Sequence, residues 1–220
     1  MNRLAIFDCD GTLLDSQHNI VTAMNACFER ADLPVPPRAA TLRVVGLSLF
    51  EAMQVLVPDV DEARHAALAD SYKRCFQMLR GKGLVEEPLF DGILPALDAL
   101  AADGWLLGVA TGKSDRGLRL ALETHGLADR FVTLQTADRH PSKPHPSMIE
   151  QAMADAGADP ATTVMVGDTR YDIAMAHNAG VRAIGVAWGY HDAQELHDEG
   201  ADAVAMHPSD LPALCTLETR

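Results

Sequence analysis

Leu4-Ala5-Ile6-Phe7-Asp8-Cys9-Asp10-Gly11-Thr12 begins with four consecutive apolar residues that stop at an acidic turn. An apolar run without alternation reads as a strand buried on both faces, as in a parallel sheet, and the turn reads as its exit. Three later stretches repeat the pattern. Residues 106–110 end at Thr111-Gly112, residues 164–166 at Gly167-Asp168, and residues 183–186 near Gly189. A shorter stretch, 132–135, leads to Ser142-Lys143-Pro144. Helical periodicity fills the intervals at 93–102, 116–125, 147–156 and 171–179. This alternation predicts an α/β fold: a Rossmann-like, doubly wound parallel sheet with helices on both faces and ligands outside the carboxyl ends of its strands.

Residues 16–81 break the rhythm. They carry helical patterns at 20–30, 47–56 and 62–79 without a convincing strand, punctuated by Pro34, Pro36 and Pro37, and Gly81, Gly83 and Pro88 mark the return to the sheet. The expected organisation is an α/β core of residues 1–15 and 82–220 interrupted by a small, all-helical domain of residues 16–81.

The 220 residues are 48% hydrophobic, enough for a well-buried core plus a smaller appendage. Lys plus Arg number 18 and Asp plus Glu 31, which gives a formal charge of −13. Such a surface repels phosphate backbones and anionic lipid, so nucleic acid and membranes are poor partners and a small substrate is expected. Cys9, Cys27, Cys75 and Cys215 are scattered and read as reduced thiols. The opening apolar run is too short for a signal peptide and no later run reaches membrane-spanning length, so a cytoplasmic location is expected.

Asp8 and Asp10, one residue apart, leave an extended backbone on the same side. Two such carboxylates repel unless one is protonated or a divalent cation lies beside them. A single Asp-x-Asp-Gly is more often a structural turn. Asp168 and Asp172, at the end of another strand, add carboxylates that could meet Asp8; if a helix starts there they share a face, with Asp168 also a candidate N-cap. An all-oxygen set without His or Cys suits magnesium better than zinc. Thr111, Gly112 and Lys143 offer hydrogen bonds and positive charge at two further strand ends, and Pro141, Pro144 and Pro146 restrict the loop that carries Lys143.

In order, Asp8-Cys9-Asp10-Gly11-Thr12-Leu13-Leu14-Asp15-Ser16, Thr111-Gly112-Lys113, Ser142-Lys143-Pro144 and Gly167-Asp168-Thr169-Arg170-Tyr171-Asp172 resemble the four motifs of the haloacid dehalogenase superfamily. The resemblance looks closest to the phosphoglycolate-phosphatase-like branch, in which a helical cap is inserted after the first motif. It implies a phosphatase in which Asp8 attacks phosphorus and Asp10 serves as acid and base. It implies magnesium held by the Asp8 side chain, the Asp10 carbonyl, Asp168 and Asp172. Thr111 and Gly112 would bind phosphoryl oxygens, and Lys143 would neutralise the phosphate and Asp8. Asp10 argues for phosphate over carbon–halogen chemistry. Lys73 and Lys82 sit in no recognisable phosphonatase pattern, and a sugar phosphomutase or a pyrophosphatase shares the core motifs.

A receiver-like signalling module also combines acids, Thr and Lys around magnesium, but there the acidic pair precedes the phosphorylated Asp by a strand. Substrate choice is expected in the cap, with Arg43 as a carboxylate clamp for a phosphoglycolate-like substrate and Gly46 beside it. Linkers near Asp15 and 81–87 are expected to act as hinges. Cys9 is expected to pack inward, His140 and His145 to face solvent, Trp188 and Tyr190 to cover the sheet edge or line a dimer contact, and residues 192–202 to form a solvated face. A monomer or a homodimer is compatible with all of this.

Overall fold

A computed structural model describes residues 2–216, and its first strand, β1 (Asn2–Phe7), is the apolar run that opens the sequence. The helices α1 (Gln17–Arg30), α2 (Arg38–Arg43), α3 (Leu49–Leu56) and α4 (Glu62–Gly81) follow. A regular alternation then runs through α5 (Ile93–Ala102), β2 (Trp105–Thr111), α6 (Asp115–Thr124), β3 (Thr133–Thr136), α7 (Ser147–Ala156) and β4 (Ala158–Gly167). It finishes with α8 (Arg170–Asn178), β5 (Arg182–Val186), α9 (Ala193–Asp198), β6 (Ala203–Ala205) and α10 (Leu211–Cys215).

The strands form one parallel sheet in the order β3-β2-β1-β4-β5-β6. Alternation along β1 sends Ala5 and Phe7 to one face and Leu4 and Ile6 to the other. The first face packs on Ile93 and Leu97 of α5, Leu118 and Leu122 of α6 and Leu211 of α10. The second packs on Met148 and Ile149 of α7, Ile173 and Ala176 of α8 and Leu196 of α9. Both faces being covered is why β1 reads as a continuous apolar run. The doubly wound α/β architecture is therefore as the alternation predicted.

Helices α1, α3 and α4 enclose a separate cluster of Met24, Cys27, Phe28, Met53, Leu68, Tyr72 and Cys75. The chain segments that lead to and from these helices pair with each other: Asp15 N donates to the Pro88 carbonyl at 2.8 Å and Phe90 N to the Leu13 carbonyl at 3.1 Å. Among the described residues no helix is long and apolar enough to cross a membrane.

Three elements differ from expectation. α2 has six residues, too few for a helical period to register. β4 starts at Ala158 although its first half is polar, and its register against β1 shifts there. Residues 192–202 are not merely a solvated face, because α9 buries Leu196 and leads into the edge strand β6, only three residues long.

Candidate active site

With β1 central, the exits of β1, β2 and β4 lie side by side, and each delivers a functional side chain to the same edge. Asp8 continues the ladder beyond β1, its amide donating to the Val166 carbonyl at 2.9 Å. Asp168 follows the last residue of β4, and Asp172 lies in the first turn of α8. Their three carboxylates are buried and place oxygens within 4.8 Å of one another.

Asp168 and Asp172 are separately tied down. Asp168 accepts from the Thr12 hydroxyl at 2.9 Å and the Tyr190 amide at 2.9 Å. Asp172 Oδ2 accepts from the amide and hydroxyl of Thr169 at 3.0 and 2.7 Å. Thr169, not Asp168, thus caps α8, and the helix start locks Asp172 in place. Gly11 makes the approach possible: its φ is +88°, and a Cβ there would sit 2.1 Å from Asp168 Oδ2.

Lys143 carries the one amine in this cluster. Its side chain is fully buried, 2.6 Å from Asp172 Oδ1 and 2.9 Å from Asp8 Oδ1. The Asp8 contact is close but not aligned as a hydrogen bond, so Asp8 Oδ1 is a buried acceptor without a donor. Burial pushes the Asp8 carboxyl up to about 6 against the pull of Lys143, with Asp172 adding to the rise. Burial, then Asp8 and Asp172, push Asp168 well above the ordinary carboxylate range. Burial alone would lower Lys143, yet Asp172 and Asp8 hold its amine above the usual lysine range. Three acids against one cation leave two negative charges unmatched. A hard divalent cation such as magnesium fits this all-oxygen set and its orphaned Asp8 oxygen, and Asp8, Asp168 and Asp172 would hold it.

Asp10 belongs to a different cluster. It accepts from the Ser16 hydroxyl and takes Lys113 Nζ at 2.7 and 3.0 Å on its two oxygens. Lys113 also reaches Glu87 at 3.0 Å, and Glu87 pairs with Arg80 at 2.7 Å. Asp10's carboxylate therefore stands apart from the trio, held by hydrogen bonds and charge rather than by shared metal ligation.

Asp8, Asp10, Thr111, Gly112 and Gly46 line one cavity of about 500 Å³ under α1, α3 and α4. Gly112 is in contact with the backbone of the loop between α2 and α3: a Cβ there would lie 2.6 Å from the Leu47 carbonyl oxygen and 2.9 Å from that of Gly46. Arg43 is not brought to this cavity. Its guanidinium pairs with Glu195 at 2.7 Å on the surface, because it lies on the outer side of α2 while Thr41 and Val44 take the side that lines the cavity. Neither His140 nor His145 lines the cavity. His140 is bound to Ser147 and Gln135 and is not left to solvent, whereas His145 is exposed.

Several participants escaped the sequence reading. Lys113 stood in plain view after Thr111-Gly112, and Ser16 closes the first motif, but Glu87 and Arg80 lie in a segment without a pattern. Tyr190 and Trp188 do more than cover the sheet edge. The Tyr190 amide binds Asp168 and its hydroxyl lies 3.2 Å from the Ser16 hydroxyl, and Trp188 Nε1 donates to the Thr12 carbonyl at 3.0 Å. Cys9 is buried in the core beneath α5 and α6, as its alternation predicted.

Residues 5–186 match the family model of haloacid dehalogenase-like hydrolases. The chain is 40% identical to a probable phosphatase, IndB, of Dickeya dadantii over 89% of its own length and 86% of that protein's. It is 33% identical to a phosphoglycolate phosphatase of Xylella fastidiosa, covering 88% of this chain and 83% of that one. The crystal structure of a predicted phosphatase from Clostridium acetobutylicum superposes with a TM-score of 0.87 at 26% identity, covering 97% and 98% of the two chains. A match that runs from β1 through β5, and so takes in every strand exit described above, makes this chain a member of the haloacid dehalogenase-like hydrolase family.

Proposed function

We propose that this enzyme is a magnesium-dependent phosphatase that hydrolyses a small phosphate monoester through a phosphoryl ester on Asp8. The observation that carries the reading is the buried trio Asp8, Asp168 and Asp172 with a single amine, Lys143, between two of its members. The phosphatase names of two relatives support it.

In the first step an Asp8 oxygen bonds to phosphorus as the ester oxygen departs, taking a proton from Asp10 and leaving as an alcohol. Water then attacks the same phosphorus with Asp10 as base, the Asp8–phosphorus bond breaks, and inorganic phosphate leaves with Asp8 regenerated. Lys143 keeps Asp8 ionised and balances charge on the transferring group. The Thr111 hydroxyl and the Gly112 amide offer hydrogen bonds to phosphoryl oxygens. Ser16 and Lys113 fix the orientation of the Asp10 carboxyl group and keep it apart from the trio. Bound magnesium would supply the positive charge that lets an ionised Asp8 and a phosphate dianion approach each other.

Residues 16–81 act as a cap over a core of 1–15 and 82–220, with the linkers near Asp15 and at 81–87 as its hinges and the paired segments at 13–15 and 88–90 joining them to the core. A retained phosphoryl group, as a mutase would need, or a stable phosphoprotein, as a receiver would give, is separated from hydrolysis by one experiment. The protein is mixed with a phosphate ester and Mg2+, quenched in acid, and assayed for free phosphate and phosphorylated peptide. Multiple turnovers with a transient adduct on the Asp8 peptide are expected. An adduct lasting minutes without turnover, or turnover that persists in excess chelator, overturns the reading.

A further inference from the structure

The cavity that adjoins Asp8 and Asp10 is shaped for more than a phosphate. Its walls are apolar: Ile20 and Met24 from α1, Leu49 from α3, Tyr72 and Phe76 from α4 and Leu120 from α6. Its volume of about 500 Å³ lies in the range of sites that enclose drug-sized molecules, far above what a two-carbon acid fills.

A second anion on the substrate would need a free cation inside. The cations that line the cavity are Lys73, Arg80, Lys113 and Arg116. Lys113 is matched by Asp10 and Glu87, and Arg80 by Glu87. Lys73 and Arg116 have no ion-pair partner among the described residues, but both are exposed to solvent, which screens their charge. Arg43, the residue best suited in type to clamp a carboxylate, is occupied by Glu195 outside. Phe76 lies beside the Asp10 cluster: its ring centroid is 5.8 Å from Lys113 Nζ, the amine that holds Asp10, and 6.1 Å from the Tyr72 ring. A leaving oxygen protonated by Asp10 therefore carries its alcohol directly against aromatic and aliphatic side chains.

Resting on the phosphatase reading above, we infer that the substrate is the phosphate monoester of an uncharged alcohol with a sizeable apolar body. Recognition is by burial of that body, and the phosphate is the substrate's single anionic group. Phosphoglycolate, the phosphate ester of a two-carbon hydroxy acid, leaves the apolar wall empty and brings a second negative charge into a cavity that Asp8 and Asp10 already line.

The test is a series of primary alkyl phosphates, ethyl, butyl, hexyl and phenylpropyl, assayed with Mg2+ beside phosphoglycolate. The simple alcohols leave with similar intrinsic ease, so kcat/KM tracks how the body is held in the transition state. The expected gain is roughly three- to fourfold per methylene, or about 100-fold from ethyl to hexyl, with phosphoglycolate among the poorest. Phe76→Ala, and separately Leu49→Ala, should flatten the slope of the series. A flat or falling series, or phosphoglycolate turned over faster than hexyl phosphate, overturns this inference while leaving the phosphatase reading intact. No phosphate release from any ester overturns both.

Discussion

Two clusters of carboxylates and cations meet at the carboxyl edge of the sheet, entered by Asp8 and Asp10 two residues apart, and they differ in charge balance. Asp10 and Glu87 face Lys113 and Arg80, two acids against two cations. Asp8, Asp168 and Asp172 face Lys143 alone. The balanced cluster is complete as it stands and fixes the orientation of the Asp10 carboxyl group. The unbalanced one leaves two negative charges unmatched, which a divalent cation would offset, and this contrast is what favours Asp8 over Asp10's better-paired carboxylate in the proposed mechanism.

The harshest way to test the contrast is Asp8→Asn. Removing the nucleophile should lower kcat on the order of 10^4-fold or more. In chelator the same change removes one of three repelling acids, so the midpoint of thermal unfolding should rise by about 2–4 °C for each kcal/mol relieved. Mg2+ should then stabilise the variant less than the native chain. A variant that melts lower in chelator would show that the trio is not a strained cluster.

Exchanging the amines separates the clusters next. Lys113→Met strands Asp10 and Glu87 with Arg80 alone and should cost about 3–5 kcal/mol of stability in chemical denaturation. Adding Glu87→Gln should recover part of that loss, a coupling that a double-mutant cycle reads directly. Lys143→Met strands three buried acids and should also destabilise the protein in chelator, whereas with Mg2+ present to offset their charge its chief effect should be on turnover, by about 10^2–10^3 in kcat. Equal effects of the two replacements on stability and on rate would erase the distinction.

Gly112→Ala probes how the helical segment meets this edge. The new methyl would meet the Leu47 and Gly46 carbonyl oxygens, backbone atoms that cannot rotate away. The loop between α2 and α3 must move, at a cost of about 1–3 kcal/mol. A raised KM with a nearly unchanged kcat is expected in steady-state assays, since the loop lies over the cavity while Asp8 and Asp10 keep their own supports.

What the sequence revealed of all this follows from what patterning encodes. Consecutive apolar residues declare a strand buried on both faces, so β1, β2, β4 and β5 were legible, and with them the acids at their exits. β6 was not, because Ala203-Val204-Ala205 is too short to carry a period, and α2 failed for the same reason. In the site, Asp8, Asp168, Asp172 and Lys143 sit in motif positions and converge as expected. Arg43 was suggested by its chemistry alone, and chemistry without a direction could not say that its side chain reaches Glu195. Glu87 and Arg80 were invisible because their partner, Lys113, lies across a tertiary contact that no local spacing records.

The mildest change addresses the link between the clusters. Tyr190 touches both: its amide donates to Asp168 Oδ2 at 2.9 Å, and its hydroxyl lies 3.2 Å from both the amide and the hydroxyl oxygen of Ser16. Ser16 in turn donates to Asp10. Tyr190→Phe keeps the ring and the backbone bond and deletes only the hydroxyl, so Asp168 should be undisturbed and the Mg2+ requirement unchanged. Ser16 loses one partner, worth about 0.5–1.5 kcal/mol in unfolding experiments. If that hydroxyl steadies the orientation of Asp10, kcat should fall a few-fold with KM constant, and the loss should be greatest for esters of poor leaving groups, whose departure depends most on Asp10's proton. A lowered stability with kcat unchanged for every leaving group would mean that the hydroxyl serves stability alone and that the two clusters work without a mechanical connection between them.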